Sequence, residues 1–166
     1  MTELRFRKRH RLRQKEVLSL ASELDATLGT KTLSEGDVVD MAEGPGYDAV
    51  LFDGKVLAFV LAGKPFLTVR GILRFGARRR YVTVDMGAVK FVYNGADVMG
   101  PGIVDTDPEI KAGDFVWIRD VKNKQPLAIG RAIVDAGAMA RKEKGKAVEA
   151  VHHVGDKLWL VDEQKE

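Results

Sequence analysis

The sequence contains no cysteine among its 166 residues. This excludes a disulfide framework, thiolate metal sites and cysteine nucleophiles. No apolar run approaches the ~20 residues that a membrane-spanning helix needs, and the first residues lack the apolar centre of a secretory signal peptide. With 45% hydrophobic and 31% charged residues, the composition excludes collagen-like and wholly disordered chains. We expect a soluble, cytoplasmic protein without a membrane partner.

Residues suited to catalysis or metal binding are also scarce. The chain has three histidines. His152 and His153 are adjacent, so in a strand they would point to opposite faces and would not readily share a metal. Asp105 and Asp107 are expected in a proline-containing loop without a neighbouring histidine, and no phosphate-binding Walker loop occurs. We therefore expect no catalytic residue, no cofactor and no metal site.

The net charge of +3 hides an uneven distribution. Residues 1–16 carry seven basic and two acidic groups, and residues 64–80 carry six basic groups and no acid, whereas residues 17–63 carry two basic and eight acidic groups. Two concentrated basic patches favour a polyanion as partner. Two alternatives for the first patch are a solvated terminal arm and a membrane-binding segment, for which Leu4, Phe6 and Leu12 would be the apolar anchors.

The first half of the chain predicts a helix followed by strands. Apolar residues recur every three or four positions from Gln14 to Leu28, and Gly29 would end that helix. Residues 47–52 and 55–61 read as a β-hairpin around Asp53-Gly54. Residues 65–76 suggest a short helix that begins at a proline and ends at a glycine.

The second half predicts short strands with turn signals every 8–12 residues, a pattern typical of a small closed or nearly closed barrel. The strands are expected at residues 81–84, 96–99, 115–119, 127–134, 147–154 and 158–161. A helix is expected at residues 135–144. Residues 85–94 are ambiguous, because Asp85 looks like a helix N-cap while the sequence VKFVY favours a strand.

Several spaced motifs in the second half closely resemble a PUA domain, an RNA-binding module. They are VDMGA at 84–88, NGADVM at 94–99, PGI at 101–103, KAGD at 111–114, AIG at 128–130 and GKAV at 145–148. In the first half, FLTVR at 66–70 followed by this PUA start is similar to the malignant-T-cell-amplified-sequence proteins and their archaeal relatives, whose eukaryotic members pair with density-regulated protein. The resemblance implies that residues 85–94 are helical.

The predicted fold is α+β with two domains. Residues 1–80 would form an N-terminal α/β pre-PUA domain, with a helix against an antiparallel sheet and a basic arm. Residues 81–166 would form a C-terminal PUA-like β-barrel, a pseudobarrel with two short helices.

The predicted site is an RNA-binding surface with two parts. In a PUA-type loop, glycines would let main-chain N–H groups approach phosphates closely, and arginines and a lysine would displace counterions. The spacing of Arg70 and Arg74 predicts that they extend the Arg78–Arg80 patch along one helical face. Glycines that only make turns, and arginines that only protect the next strand from aggregation, remain open as alternatives. The candidate residues are Arg70, Arg74, Arg78, Arg79, Arg80, Lys90, Gly95, Ala96, Asp97, Met99, Gly100, Pro101 and Gly102.

Together these features predict a non-catalytic RNA-binding protein that acts in translation, on the ribosome or on tRNA. Its RNA would be tRNA or rRNA, bound at a structured region or a 3′ end. One alternative is an adaptor that docks a translation initiation-type factor. Another is the RNA-binding specificity subunit of a tRNA or rRNA modification enzyme.

Overall fold

The computed structural model describes residues 4–163, and the side chains of residues 4–162. The chain divides into two compact units. The second unit is Arg78–Asp156, and the first combines the residues up to Ala77 with those from Lys157 onward. The sequence placed residues 157–166 in the second domain, whereas residues 157–163 make their contacts within the first unit; residues 1–3 and 164–166 lie outside the described part.

The first unit is a five-stranded antiparallel sheet in the order β1-β2-β3-β4-β5, with helices packed on it. Its strands are β1 (Arg7–Arg11), β2 (Val39–Glu43), β3 (Asp48–Phe52), β4 (Lys55–Leu61) and β5 (Lys64–Leu67). Its helices are α1 (Gln14–Leu28), α2 (Val69–Phe75) and α5 (Lys157–Glu163), of which α5 comes last in the chain.

Two local signals in this unit are confirmed. Helix α1 buries Val17, Ala21, Leu24 and Leu28, as the spacing of three and four predicts, and it ends where Gly29 takes a left-handed conformation (φ 67°). The β3–β4 hairpin turns at Asp53 and Gly54, whose φ angles are 55° and 75°. Positive φ at both central residues is what a two-residue hairpin with this dipeptide requires.

Two predictions for the first unit are wrong. Residues 7–11 are not an arm but an edge strand, paired with β2 so that Arg11 lies opposite Asp40. Residues 158–161 were expected as a strand, yet they lie in helix α5. Leu158 packs against the sheet residues Ala42, Ala49, Leu51 and Val56, and this tertiary contact overrides the apolar alternation.

The start of the predicted helix at 65–76 also needs correction. Pro65 to Leu67 belong to β5, and Thr68 caps α2 by accepting a hydrogen bond from the Gly71 N–H. Proline is tolerated there because β5 is the edge strand of its sheet.

The second unit is a six-stranded sheet in the order β7-β11-β10-β9-β6-β8, in which only the β6–β9 pair among the described strands is parallel. Its strands are β6 (Tyr81–Val84), β7 (Val98–Met99), β8 (Ile103–Thr106), β9 (Phe115–Asp120), β10 (Pro126–Ala132) and β11 (Lys146–His153). Its helices are α3 (Met86–Tyr93) and α4 (Ala136–Ala140), and a single 3-10 turn spans Gly100–Gly102.

The connection between β7 and β8 shows why this sheet curls. These two strands are the outer edges, yet only the three-residue turn Gly100–Gly102 joins them. In a flat six-stranded sheet the edges would lie about 24 Å apart, at ~4.8 Å per strand, and three residues span only about 10 Å. The sheet must therefore bend into a nearly closed barrel, and its interior is filled by apolar side chains such as Val82, Ile118 and Leu127.

This architecture confirms the predicted α+β fold class with a nearly closed barrel, and it confirms the helix at 85–94 that the resemblance implied. Strand β8 was not predicted, and α4 is shorter than the predicted helix at 135–144. No helix in residues 4–163 is long and apolar enough to cross a membrane.

Candidate nucleic-acid interface

The interface is built around helix α3 of the second unit. The Asp85 side chain caps this helix by accepting a hydrogen bond from the Ala88 N–H at 2.9 Å. The Asp85 N–H donates to the Gly102 carbonyl at 3.0 Å. The helix start and the 3-10 turn are therefore fixed to each other.

Helix α3 is more apolar than its buried face requires. Val92 is its one fully buried residue, while Met86, Phe91 and Tyr93 are exposed. Phe91 is 56% exposed, and the Lys90 ammonium lies 5.3 Å from the centroid of its ring. Exposed aromatic and apolar side chains that cluster on a surface mark an interaction site.

An open groove of about 370 Å³ runs between α3, β7 and the 3-10 turn. This volume lies within the ~300–1,000 Å³ range of small-ligand pockets. Met99, 50% exposed, lies on the rim of the groove. The groove is lined by Ala88, Phe91, Val92, Ala96, Asp97, Val98, Met99 and Gly102.

The groove brings together part of the predicted site. Ala96, Asp97, Met99 and Gly102 line it, and Lys90 lies next to it through Phe91. Pro101 is exposed in the adjoining 3-10 turn.

Two of the predicted glycines use their own N–H groups within the fold. The Gly95 N–H donates to the Val92 carbonyl at 3.0 Å and the Gly100 N–H donates to the Gly145 carbonyl at 2.9 Å. A Cβ on Gly100 would stand 1.8 Å from the Glu143 carbonyl oxygen, so the main chain of the same unit fills the space that was expected for a phosphate. Gly100 is required for close packing of two loops.

Asp97 anchors the groove wall to the last strand of the barrel. Its carboxylate accepts hydrogen bonds from the Ala150 N–H at 2.7 Å and from the Lys146 ammonium at 3.0 Å. The Ala150 N–H, followed by Lys146, holds the pKa of Asp97 below its usual value. A fixed negative charge at this wall disfavours a phosphate there and suits a hydrogen-bond donor instead.

The arginine triplet lies elsewhere on the second unit. Arg78 to Arg80 precede β6, whereas α3 follows it, and the four residues of β6 separate the two by about 13 Å at ~3.3 Å per residue. Arg78 and Arg79 are exposed. Arg80 is structural in part, because its N–H donates to the buried Asp107 and its guanidinium donates to Asp114, both at 2.6 Å.

The remaining two arginines belong to the first unit. Helix α2 ends at Phe75, so the predicted helical face shared by Arg70, Arg74 and the triplet does not exist. The Arg70 guanidinium stacks 3.7 Å from the Trp159 ring centroid and pairs with the buried Asp162. Arg74 pairs with Asp53 at 2.7 Å.

Sequence reasoning missed Phe91, Met86 and Tyr93. While residues 85–94 remained ambiguous between helix and strand, the exposed face could not be assigned. Once the segment is taken as helical, its excess of apolar residues is the signal that could have identified them.

With this geometry established, comparison with known proteins identifies the fold. Residues 80–154 match the PUA domain family. A conserved PUA domain protein from Thermoplasma acidophilum, whose structure is known, is 31% identical with a TM-score of 0.78, and the match covers 93% of this chain and 99% of that one.

Two eukaryotic relatives extend the comparison. Translation machinery-associated protein 20 of Saccharomyces cerevisiae is 32% identical over 64% of this chain and 62% of its own length. Malignant T-cell-amplified sequence 1-A of Xenopus laevis is 33% identical over 64% of this chain and 61% of its own length. The chain therefore spans less than two thirds of either protein.

The second unit is thus a PUA domain, with its groove beside the first helix of the barrel. The chain as a whole belongs to the family of PUA-domain proteins, and it is similar to the malignant T-cell-amplified-sequence proteins.

Proposed function

We propose that this protein binds RNA without catalysis and acts in translation, with tRNA or rRNA as its ligand. The observation that carries the proposal is the groove beside α3, where an exposed phenylalanine, a neighbouring lysine and an anchored carboxylate meet. RNA is recognised largely through unpaired bases that stack on aromatic side chains, with hydrogen bonds to base edges and 2′-hydroxyls.

Each part of the groove has a role in this proposal. Phe91 offers its ring face to a base, and Asp97 accepts a hydrogen bond from a base amino group or a hydroxyl. Lys90 and the exposed Arg78 and Arg79 provide positive charge for the backbone. The mixture suits an unpaired or 3′-terminal segment of a structured RNA.

Association with the translation machinery is supported by the similarity to translation machinery-associated protein 20 of Saccharomyces cerevisiae. That association also supports a location in the cytoplasm. We apply both only as part of the proposal, since the matched region is 62% of that protein.

Replacing Phe91 with alanine tests the proposal. Loss of one stacked base costs about 1–3 kcal/mol, so tRNA affinity should fall about 5- to 150-fold. The measurement is fluorescence anisotropy with labelled bulk tRNA. The matched control is Ile133→Ala, which removes an exposed apolar side chain outside the groove lining and should leave the affinity unchanged. If Phe91→Ala binds tRNA with the same affinity as the unmodified protein, the groove is not the RNA-binding site.

The adaptor alternative predicts a different result. If the exposed face of α3 docks a translation factor, the partner should remain bound in a pull-down after the RNA has been digested with nuclease. The proposal expects nuclease to release whatever the protein captures. The modification-subunit alternative predicts captured partners with RNA-modifying activity.

A further inference from the structure

Strand β1 is an exposed row of cations paired to β2, with a β-bulge between Arg7 and His10 where Lys8 has a φ of 54°. Its sequence is Arg-Lys-Arg-His-Arg, and all five residues are exposed. Over residues 5–15 the chain carries seven basic groups. In the described part of the chain, the acidic side chains in contact with this segment are Asp40, Glu43 and Glu16.

Asp40 holds two of the arginines in place. Its carboxylate accepts the Nε–H of Arg9 at 2.8 Å and the Nε–H of Arg11 at 2.5 Å. Hydrogen bonds from Arg11, then from Arg9, lower the pKa of this carboxyl. A guanidinium has five N–H donors, so one such bond leaves four on each arginine for an anion. One negative charge thus orients two positive ones without neutralising both.

We propose that β1 is a second RNA-binding surface, an arginine ladder in which Arg7, Arg9 and Arg11 bind phosphates of an RNA backbone and Asp40 is the positioning residue of Arg9 and Arg11. This inference rests on the proposed function. Arg9 and Arg11 are two positions apart, which in an extended strand corresponds to ~6.7 Å, a spacing comparable to that of successive phosphates in a nucleic-acid strand. The bulge between Arg7 and His10 takes Arg7 out of this alternation. Arginine rather than lysine predominates, as suits bidentate phosphate binding.

RNA is favoured over an anionic membrane as the partner of β1, because the nearby apolar side chains are packed within the protein. Leu12 is buried at 7% exposure, and Phe6 packs edge-on against Tyr47 at 6.2 Å between ring centroids. Leu4 packs against the sheet core. A surface without a free apolar anchor lacks the second signal that stable membrane attachment needs.

The test removes the ladder from the intact protein. Arg7→Ala, Arg9→Ala and Arg11→Ala are combined and compared with the combination Lys31→Ala, Lys55→Ala and Lys64→Ala, which removes three exposed positive charges elsewhere in the same unit. We expect the arginine variant to bind bulk tRNA at least about tenfold more weakly than the lysine variant. The log–log salt slope should also be shallower by about 2, at ~0.7 per single-strand phosphate.

The outcomes separate this inference from the proposed function. Equal tRNA affinities and equal salt slopes of the two triple variants would overturn RNA binding by the ladder. This holds whether or not Phe91→Ala weakens tRNA binding. If the arginine variant binds tRNA more weakly while Phe91→Ala binds it as before, the ladder is supported as an RNA-binding surface. The groove is then rejected as one. Arginine-dependent binding to phosphatidylserine vesicles without arginine-dependent binding to tRNA would also overturn the ladder.

Asp40→Asn provides a second measurement that does not depend on removing arginines. This change raises the net positive charge of the strand, so a surface that acts through total charge would bind tRNA more tightly. The ladder predicts weaker binding and a shallower salt slope, because Arg9 and Arg11 lose their shared anchor. Tighter binding would overturn the positioning role.

Discussion

Gly100 and Gly102 lie two positions apart in one 3-10 turn but have different surroundings. A Cβ at position 100 would meet the Glu143 carbonyl oxygen at 1.8 Å, whereas a Cβ at position 102 would meet only the Ala88 Cβ at 3.6 Å. The first distance is impossible for a real Cβ, and the second is an ordinary contact. Gly100 is therefore needed for packing, while Gly102 borders the groove.

This contrast predicts opposite effects of alanine. Gly100→Ala must push the loop at residue 143 away, and we expect it to lower the free energy of unfolding by about 2 kcal/mol or more. Gly102→Ala should change it by no more than about 0.5 kcal/mol. Urea denaturation followed by circular dichroism measures both. Comparable stabilities of the two variants would contradict the close packing at Gly100.

Helix α5 is held in place by contacts with residues that are distant in the sequence. The carboxylate of Asp162 is buried and accepts the Val56 N–H at 3.0 and 3.2 Å, and it pairs with Arg70. Arg70 in turn stacks on Trp159 of the same helix. These contacts join α5 to β4 and α2, and they explain why the last segment belongs to the first unit.

Asp162→Ala should therefore destabilise the first unit. The change leaves the buried Val56 N–H without its acceptor and removes the partner of Arg70, and we expect a loss of about 3 kcal/mol. Trp159 lies in the first unit and Trp117 in the second, so urea unfolding monitored by fluorescence in a Trp117→Phe background reports on α5. Lys157→Ala, an exposed change in the same helix, is the control and should stay within about 0.5 kcal/mol. Matching midpoints for the two variants would show that this cluster does not hold α5.

For the chain as a whole, the arrangement of charge matters more than its sum. The net charge is only +3, yet the basic groups concentrate in β1 and in the residues before β6. Patches of this kind raise the local concentration of a polyanion even when the total charge is small. RNA binding should therefore depend steeply on salt.

If about five phosphates are neutralised on single-stranded RNA, the slope of log affinity against log salt should be about −3.5. Replacing Arg78 and Arg79 with alanine should weaken binding to all RNA sequences alike and make the slope shallower by about 1.4. Arg80 is left in place because Asp107 and Asp114 use it in the fold. Lys55→Ala with Lys122→Ala, two exposed lysines, is the control. A slope that the arginine pair does not alter would exclude these residues from phosphate contact.

Local patterns in the sequence were sufficient to predict the elements that are stabilised by residues close to them in the chain. Helix α1 follows from its apolar spacing, and the β3–β4 hairpin follows from Asp53-Gly54. The spaced motifs from residue 84 onward resemble a PUA domain, and this resemblance implied the barrel.

Contacts between distant parts of the chain determined the rest. An arginine-rich segment becomes a strand because β2 supplies its hydrogen bonds and Asp40, and an alternating segment becomes α5 because Asp162 and Leu158 fit the first unit. The space near Gly100 is taken by residue 143, far along the chain. Burial and pairing energies of this kind depend on which residues meet, and local propensity does not contain that information.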